Sequence, residues 1–188
     1  MIKHKEQRVG VLVDVSNMYH SAKNLYGKKV NFREILTQAV ADRKLIRATA
    51  YVIKTENNDE MSFFEALSQQ GFEVKMKDLQ IFAGGAKKGD WDVGITIDAI
   101  KLGDKLDVII LVSGDGDYLP VVSYLQNNKG CLVEIMAFRK TASSRLVEES
   151  DDFTDLGASK KFLIKPTRIY SKKDLIDSGL FCFTALEN

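Results

Sequence analysis

The chain predicts an α/β fold, a doubly wound, mainly parallel sheet in three layers with helices on both faces. Two observations carry this. Strand-length apolar runs alternate with amphipathic, helix-length segments from Arg8 to Asp152. Several of those runs, such as RVGVLVD at 8–14 and DVIILVS at 107–113, are almost wholly apolar. Strands buried on both faces of a parallel sheet read this way.

Arg8–Asp14 is the first strand and ends in an acid. Ser16–Tyr26 follows as a helix closed by Gly27. Asn31–Lys44 is a second helix, opened by Asn31 with Glu34 three residues on, a capping-box spacing. Leu45–Ile53 is a strand and Asn58–Gln70 a helix, with Gly71 placed to end it. Phe72–Lys77 is a third strand, extendable to Ile81, and Gly84–Asp90 a polar glycine loop. Trp91–Leu102 is a helix and Asp107–Ser113 a strand. Asp117–Lys129 is a helix with Asp117 as its cap, which places Pro120 in the first turn, where its missing N–H costs little. Cys131–Phe138 is a strand and Thr141–Asp152 the last helix.

A chain of 188 residues, 45% hydrophobic and 28% charged, suits one domain with a substantial core and excludes disorder as the dominant state. No apolar run approaches the roughly 20 residues of a membrane span. Met1–Arg8 is polar and basic, and the apolar stretch Val9–Val15 is short and contains Asp14, so a cytoplasmic location is expected. Cys131 and Cys182 lie far apart with no CxxC, which argues against a zinc site or a disulfide framework. A net charge of +1 does not bear on nucleic-acid binding, because a basic patch can hide inside a balanced total. From Ala158 the pattern changes to a tail carrying Lys160, Lys161, Lys165, Arg168, Lys172 and Lys173. Two readings stay open for it: a packed surface appendage, or an arm for a protein partner or a second copy.

In a doubly wound sheet, ligands bind beyond the carboxyl ends of the strands, where strand order reverses. Asp14 ends the first strand, and Asp115 and Asp117 follow the fourth in SGDGDY. If those strands are central neighbours, three carboxylates converge. Close carboxylates resist ionising together, so such a cluster in a cleft points to a hard divalent cation, able to activate water and stabilise phosphoryl charge. Singly, Asp117 reads as a helix cap and Asp14 as a turn former. A further acid comes from KKGDWDVGITIDAI, as Asp90 or Asp92. Asp98, about 240° round an ideal helix from Asp92, converges with it only if Asp92 sits at a non-helical cap. Lys87, Lys88, Arg139, Lys140 and Arg145 fall on the same edge and suit a polyanionic backbone. Trp91 suits base stacking or core packing.

Other chemistries lack their motifs. Gly84–Gly89 has the P-loop glycine spacing but is followed by Asp90 and Trp91. The first βα turn, DVSNMYH, has no glycine for a dinucleotide. His4 and His20 have no serine or cysteine partner placed by sequence. A DxDxT phosphatase motif is absent, since Val15 and Ser16 follow Asp14.

DVSNMY at 14–19, KKGDWDVGITIDA at 87–99 and VILVSGDGDYLPVV at 109–122 resemble, in this order, the LabA-like branch of NYN-domain proteins in the PIN-like nuclease superfamily. The resemblance runs from about Val9 to Leu156. It implies a PIN-like domain over 1–157, an extension over 158–188, and an Mg²⁺ or Mn²⁺ site that cleaves RNA, single-stranded or structured. By motif position the catalytic set is Asp14, Asp92, Asp115 and Asp117 with Asn17 assisting, and Asp98 is an auxiliary metal ligand. KKGDWD holds one more residue between Gly and Asp than is usual in this branch, and the Asp98 spacing favours Asp92 over Asp90. Two functions follow: a metal-dependent endoribonuclease, or a non-catalytic RNA-binding or regulatory module with an acidic pocket.

Overall fold

The structure, a computed structural model, describes residues 3–54, 59–81 and 87–164. Its elements are β1 (Arg8–Asp14), α1 (Val15–Tyr26), β2 (Lys29–Val30), α2 (Phe32–Val40), β3 (Lys44–Lys54), α3 (Asp59–Gln69), β4 (Glu73–Asp78) and β5 (Gln80–Ile81). They continue as β6 (Lys87–Lys88), α4 (Asp92–Gly103), β7 (Val108–Val112), α5 (Leu119–Tyr124), β8 (Leu132–Ala137), α6 (Ser144–Glu149), β9 (Asp152–Asp155) and β10 (Leu163–Ile164).

Six strands form one sheet in the order β4-β3-β1-β7-β8-β9, with every pairing parallel. The chain builds outward from β1 through β3 to β4. It then crosses back to β7 and builds the other way through β8 to β9. Right-handed crossovers therefore place α1, α2 and α3 on one face and α4, α5 and α6 on the other. The result is the expected three-layer, doubly wound α/β architecture. β1 and β7 are the central pair, and every residue of β7 is buried. Among the described residues no helix is long and apolar enough to cross a membrane.

Several boundaries depart from expectation, each for a local reason. The second helix stops at Val40 instead of Lys44, because Ala41 and Asp42 turn left-handed with φ of 46° and 63°. L-residues adopt that conformation at a cost of roughly 1–2 kcal/mol each. Arg43 offsets it by donating to the carbonyls of Ala39 at 2.6 Å and Val40 at 3.1 Å. The third strand does not run on to Ile81; β4 ends at Asp78, and β5 pairs antiparallel with β6 in a separate ribbon. The expected cap of the SGDGDY helix moves by two residues. Asp115, not Asp117, caps a 3₁₀ turn over Gly116–Tyr118 that leads into α5, with Pro120 in its first turn. The last predicted helix shrinks to α6, and its end becomes β9, a sixth strand that the sequence reading missed. Of the tail, residues 158–164 form a short 3₁₀ turn at Lys160–Phe162 and strand β10, which pairs with β2. The remainder, with Asn58 and residues 84–86 of the glycine loop, lies outside the described residues.

One buried ion pair ties the two halves together. Arg43, after α2, donates to both carboxylate oxygens of Glu134 on β8, at 2.6 and 3.0 Å. Neither side chain is more than 5% exposed. Truncating one partner strands the other charge in a dry interior, which costs about 3–5 kcal/mol. Urea denaturation of Glu134→Leu is expected to show a loss of that order. The double variant Arg43→Met/Glu134→Leu is expected to lose less than Glu134→Leu alone.

Candidate metal centre

β1 and β7 end side by side at the point where strand order reverses, so their trailing residues share one crevice. Asp14 is the last residue of β1 and is buried. Its Oδ1 accepts the Asn17 N–H at 3.0 Å, so it caps α1 while facing the crevice. The loop after β7 is fixed from two sides. Asn17 Oδ1 accepts the Gly114 N–H at 3.1 Å, and the Gly114 carbonyl accepts the Ser143 N–H at 2.9 Å. Gly114 suits this close approach, since a Cβ there would stand 3.0 Å from the Ala142 backbone and force it to shift. Asp115 Oδ1 then accepts the Asp117 N–H at 3.1 Å, a tight turn that holds both acids on one loop.

The fourth acid arrives from the opposite helix layer. Asp92 is the first residue of α4. Oxygens of Asp92, Asp115 and Asp117 lie within 4.8 Å of one another. Asp92 and Asp115 are half-buried and Asp117 is exposed. Asp14 is joined to them through Tyr118, a residue not anticipated from the sequence. The buried Tyr118 hydroxyl lies 3.0 Å from Asp92 Oδ1 and 3.3 Å from Asp14 Oδ2. A phenol has a single proton to give. It therefore serves two carboxylates that come from different elements.

The electrostatics follow from this crowding. Burial pushes the Asp14 carboxyl above the usual range; the Asn17 N–H opposes this, and the charges of Asp92 and Asp115 add to it. Asp92 is also raised, first by burial and then, against the Tyr118 hydrogen bond, by Asp115, Asp90 and Asp117. Burial and the same acids drive the Tyr118 hydroxyl far up, so it remains a donor at any working pH. The four carboxylates form an all-oxygen donor set, and that chemistry fits a hard divalent cation.

The remaining expected residues divide. With Asp92 inside the helix, Asp98 is turned away from the other acids. Its Oδ2 accepts from the Tyr51 hydroxyl at 2.7 Å and the Lys75 ammonium at 2.5 Å. Burial works to raise its pKa, but the hydrogen bonds from Lys75 and Tyr51 hold the carboxyl below the usual range. The Asn17 carbonyl oxygen is engaged within the protein, on the Gly114 N–H. Trp91 is pinned to the sheet, its indole N–H donating to the Val52 carbonyl at 2.9 Å.

Arg139 turns toward β9, with its guanidinium 4.4 Å from the Phe153 ring centroid. Lys140 is exposed after β8, and Arg145 is exposed in the first turn of α6. Lys87 and Lys88 form β6, and the expectation for their side chains lies outside what is described. Sequence reasoning missed Tyr118, Tyr51 and Lys75. Tyr118 had a signal, as the residue next to the acids in SGDGDY. Tyr51 and Lys75 had none, because only strand register brings them to this edge.

Comparison with known proteins identifies the family. The chain is 25% identical over 173 residues to the low amplitude and bright protein LabA of Synechococcus elongatus, covering 87% of this chain and 91% of that one. Among solved structures it is similar to VPA0982 of Vibrio parahaemolyticus, a protein of unknown function. That match has a TM-score of 0.79 and 31% identity, covering 87% of this chain and 100% of the other. The NYN domain model matches residues 8–157, from the first residue of β1 to beyond β9. Because that span contains the whole six-stranded sheet and all four clustered aspartates, the chain belongs to the NYN domain family, whose members are typically nucleases.

Proposed function

We propose that this chain is a divalent-metal-dependent ribonuclease that hydrolyses RNA phosphodiester bonds at the β1–β7 switch point. The supporting observation is the approach of Asp92, Asp115 and Asp117 to within 4.8 Å of one another beside buried Asp14, in an NYN family member. Asp14, Asp92, Asp115 and Asp117 would hold Mg²⁺ or Mn²⁺. A divalent cation supplies a lowered water pKa and neutralises charge on the phosphoryl group. The protein's own part is positional. The Asn17 N–H orients Asp14, the Asp117 N–H orients Asp115, and Tyr118 sets Asp92 against Asp14. Lys140 and Arg145, exposed near this edge, would contact the RNA backbone.

A second reading keeps the same pocket without turnover, as an RNA-binding or regulatory module. The observation favouring it is that Asp14 has both oxygens engaged by the protein, on Asn17 and Tyr118. Incubating labelled single-stranded RNA with Mg²⁺, Mn²⁺ or EDTA separates the two. Under the ribonuclease reading, cutting requires the metal and falls by about 10²-fold or more in Asp115→Asn. RNA bound but never cut supports the module. Cutting that persists in EDTA or in Asp115→Asn overturns the assignment.

The raised carboxyls also set a stability signature. A carboxyl whose folded pKa lies above its unfolded value stabilises the fold only while protonated. That stabilisation is complete below the unfolded value, about 3.9 for aspartate, and is lost as pH rises through the folded one. At neutral pH in EDTA, Asp92→Asn escapes this loss and is expected to melt above the wild type. A gain of ~1 kcal/mol is about 2–4 °C in a chain of this size. The gap should close on acidification. Mn²⁺ should raise the wild-type melting temperature more than the variant's, because ligand binding stabilises the state that binds it.

Tyr118→Phe keeps the ring and removes the shared hydroxyl. Losing such an outer partner typically costs about 10–100-fold in metal affinity. Calorimetric Mn²⁺ titration of this variant is expected to show a drop in that range with the fold retained.

A further inference from the structure

We infer that Lys75 and Lys77, on the outermost strand β4, form a phosphate-contacting track that carries the RNA backbone away from the aspartate cluster. The inference rests on the ribonuclease reading and adds the direction of the strand.

Register brings the track to the site. Asp14 pairs with Tyr51, and Tyr51 pairs with Lys75, across three adjacent parallel strands. Aligned residues of neighbouring strands project to one face of a sheet, and strands lie about 4.8 Å apart. Lys75 therefore starts about 10 Å from Asp14 on the α4 side. Lys77 lies two residues on, so it shares that face. β4 ends the strand order, so this flank is an edge of the sheet.

Both ammonium groups are held in place and still open to solvent. Asp98 Oδ2 accepts from Lys75 at 2.5 Å, and the Tyr51 hydroxyl fixes the same oxygen at 2.7 Å. An ammonium has three N–H donors. Asp98 uses one, and the Lys75 side chain is 41% exposed. Lys77 is exposed, and its Nζ donates to the Asp90 carbonyl at 3.2 Å and lies 6.0 Å from the Trp91 ring centroid. A carbonyl is neutral, so that contact does not itself cancel the Lys77 charge, and no described residue forms an ion pair with it. Trp91 is itself anchored through Val52 and packs edge-on against Tyr51 at 5.3 Å. Two cations thus stand at set positions beside the acids, as bidding for successive phosphates requires. On the opposite flank, Arg139 is committed to the Phe153 ring, while Lys140 and Arg145 stay exposed and would hold the backbone before it reaches the acids.

The salt dependence of RNA binding tests this, because a purely structural lysine would not change it. Each phosphate contact to a single strand contributes about 0.7 to the slope of log Kobs against log salt. Fluorescence anisotropy of a labelled oligouridylate, in EDTA to prevent cutting, reads that slope. Lys77→Gln is expected to reduce its magnitude by about 0.7, and Lys75→Gln, whose charge is shared with Asp98, by less. Lys77→Gln leaves the Asp98 contact intact, so it reports on the track even if Lys75→Gln disturbs the fold. Arg47→Gln, toward the opposite end of β3 where Arg47 pairs with Glu73, is expected to leave the slope unchanged. Wild-type slopes in both lysine variants would overturn the track and leave the ribonuclease reading standing. A wild-type protein that binds no RNA with or without Mn²⁺ would overturn both.

Discussion

Like charges gathered in one crevice are the constraint around which this molecule is arranged. β1 and β7 run in the same direction as central neighbours, so the acids that follow them cannot avoid one another. α4 then delivers a further carboxylate from the opposite layer. Three of the acids are held by a donor that the backbone or a buried side chain supplies. Asp14 is held by the first turn of α1, Asp115 by its own loop, and Asp92 by a tyrosine that also reaches Asp14. The repulsion is therefore stored in a rigid setting, and a divalent cation is the simplest chemical species that would release it.

Away from the crevice, charge is handled by pairing. Glu134 and Arg43 meet in the interior in a two-point contact, and Arg43 also terminates α2. Asp98 is neutralised by Lys75 and steadied by Tyr51. The contrast is informative. The aspartates at the switch point gain hydrogen bonds from neutral donors, whereas Glu134 and Asp98 find cations.

Much of this could be read from the residues alone, because apolar strands and acids at strand ends are local signals. RVGVLVD and DVIILVS could hardly be anything but buried strands, and SGDGDY placed two acids on one turn. What escaped depended on partners distant in sequence. β9 was hidden because DFTD is short and half-buried, and only pairing with β8 makes it a strand. The early end of α2 depends on Arg43 reaching back to carbonyls that no periodicity marks. Tyr118 drew no reading of its own; it is core, and its functional interest lies in one oxygen atom at the edge of that core.

The peptide group of Gly114 has a consequence for how this family can vary. Its N–H is committed to α1 and its carbonyl to the segment before α6, while its missing side chain admits the Ala142 backbone. Three stretches of chain, far apart in sequence, are riveted at one residue. Adding or deleting a residue in any of them would shift the acids relative to one another. A change of length that leaves the acids in place must therefore fall outside these three stretches.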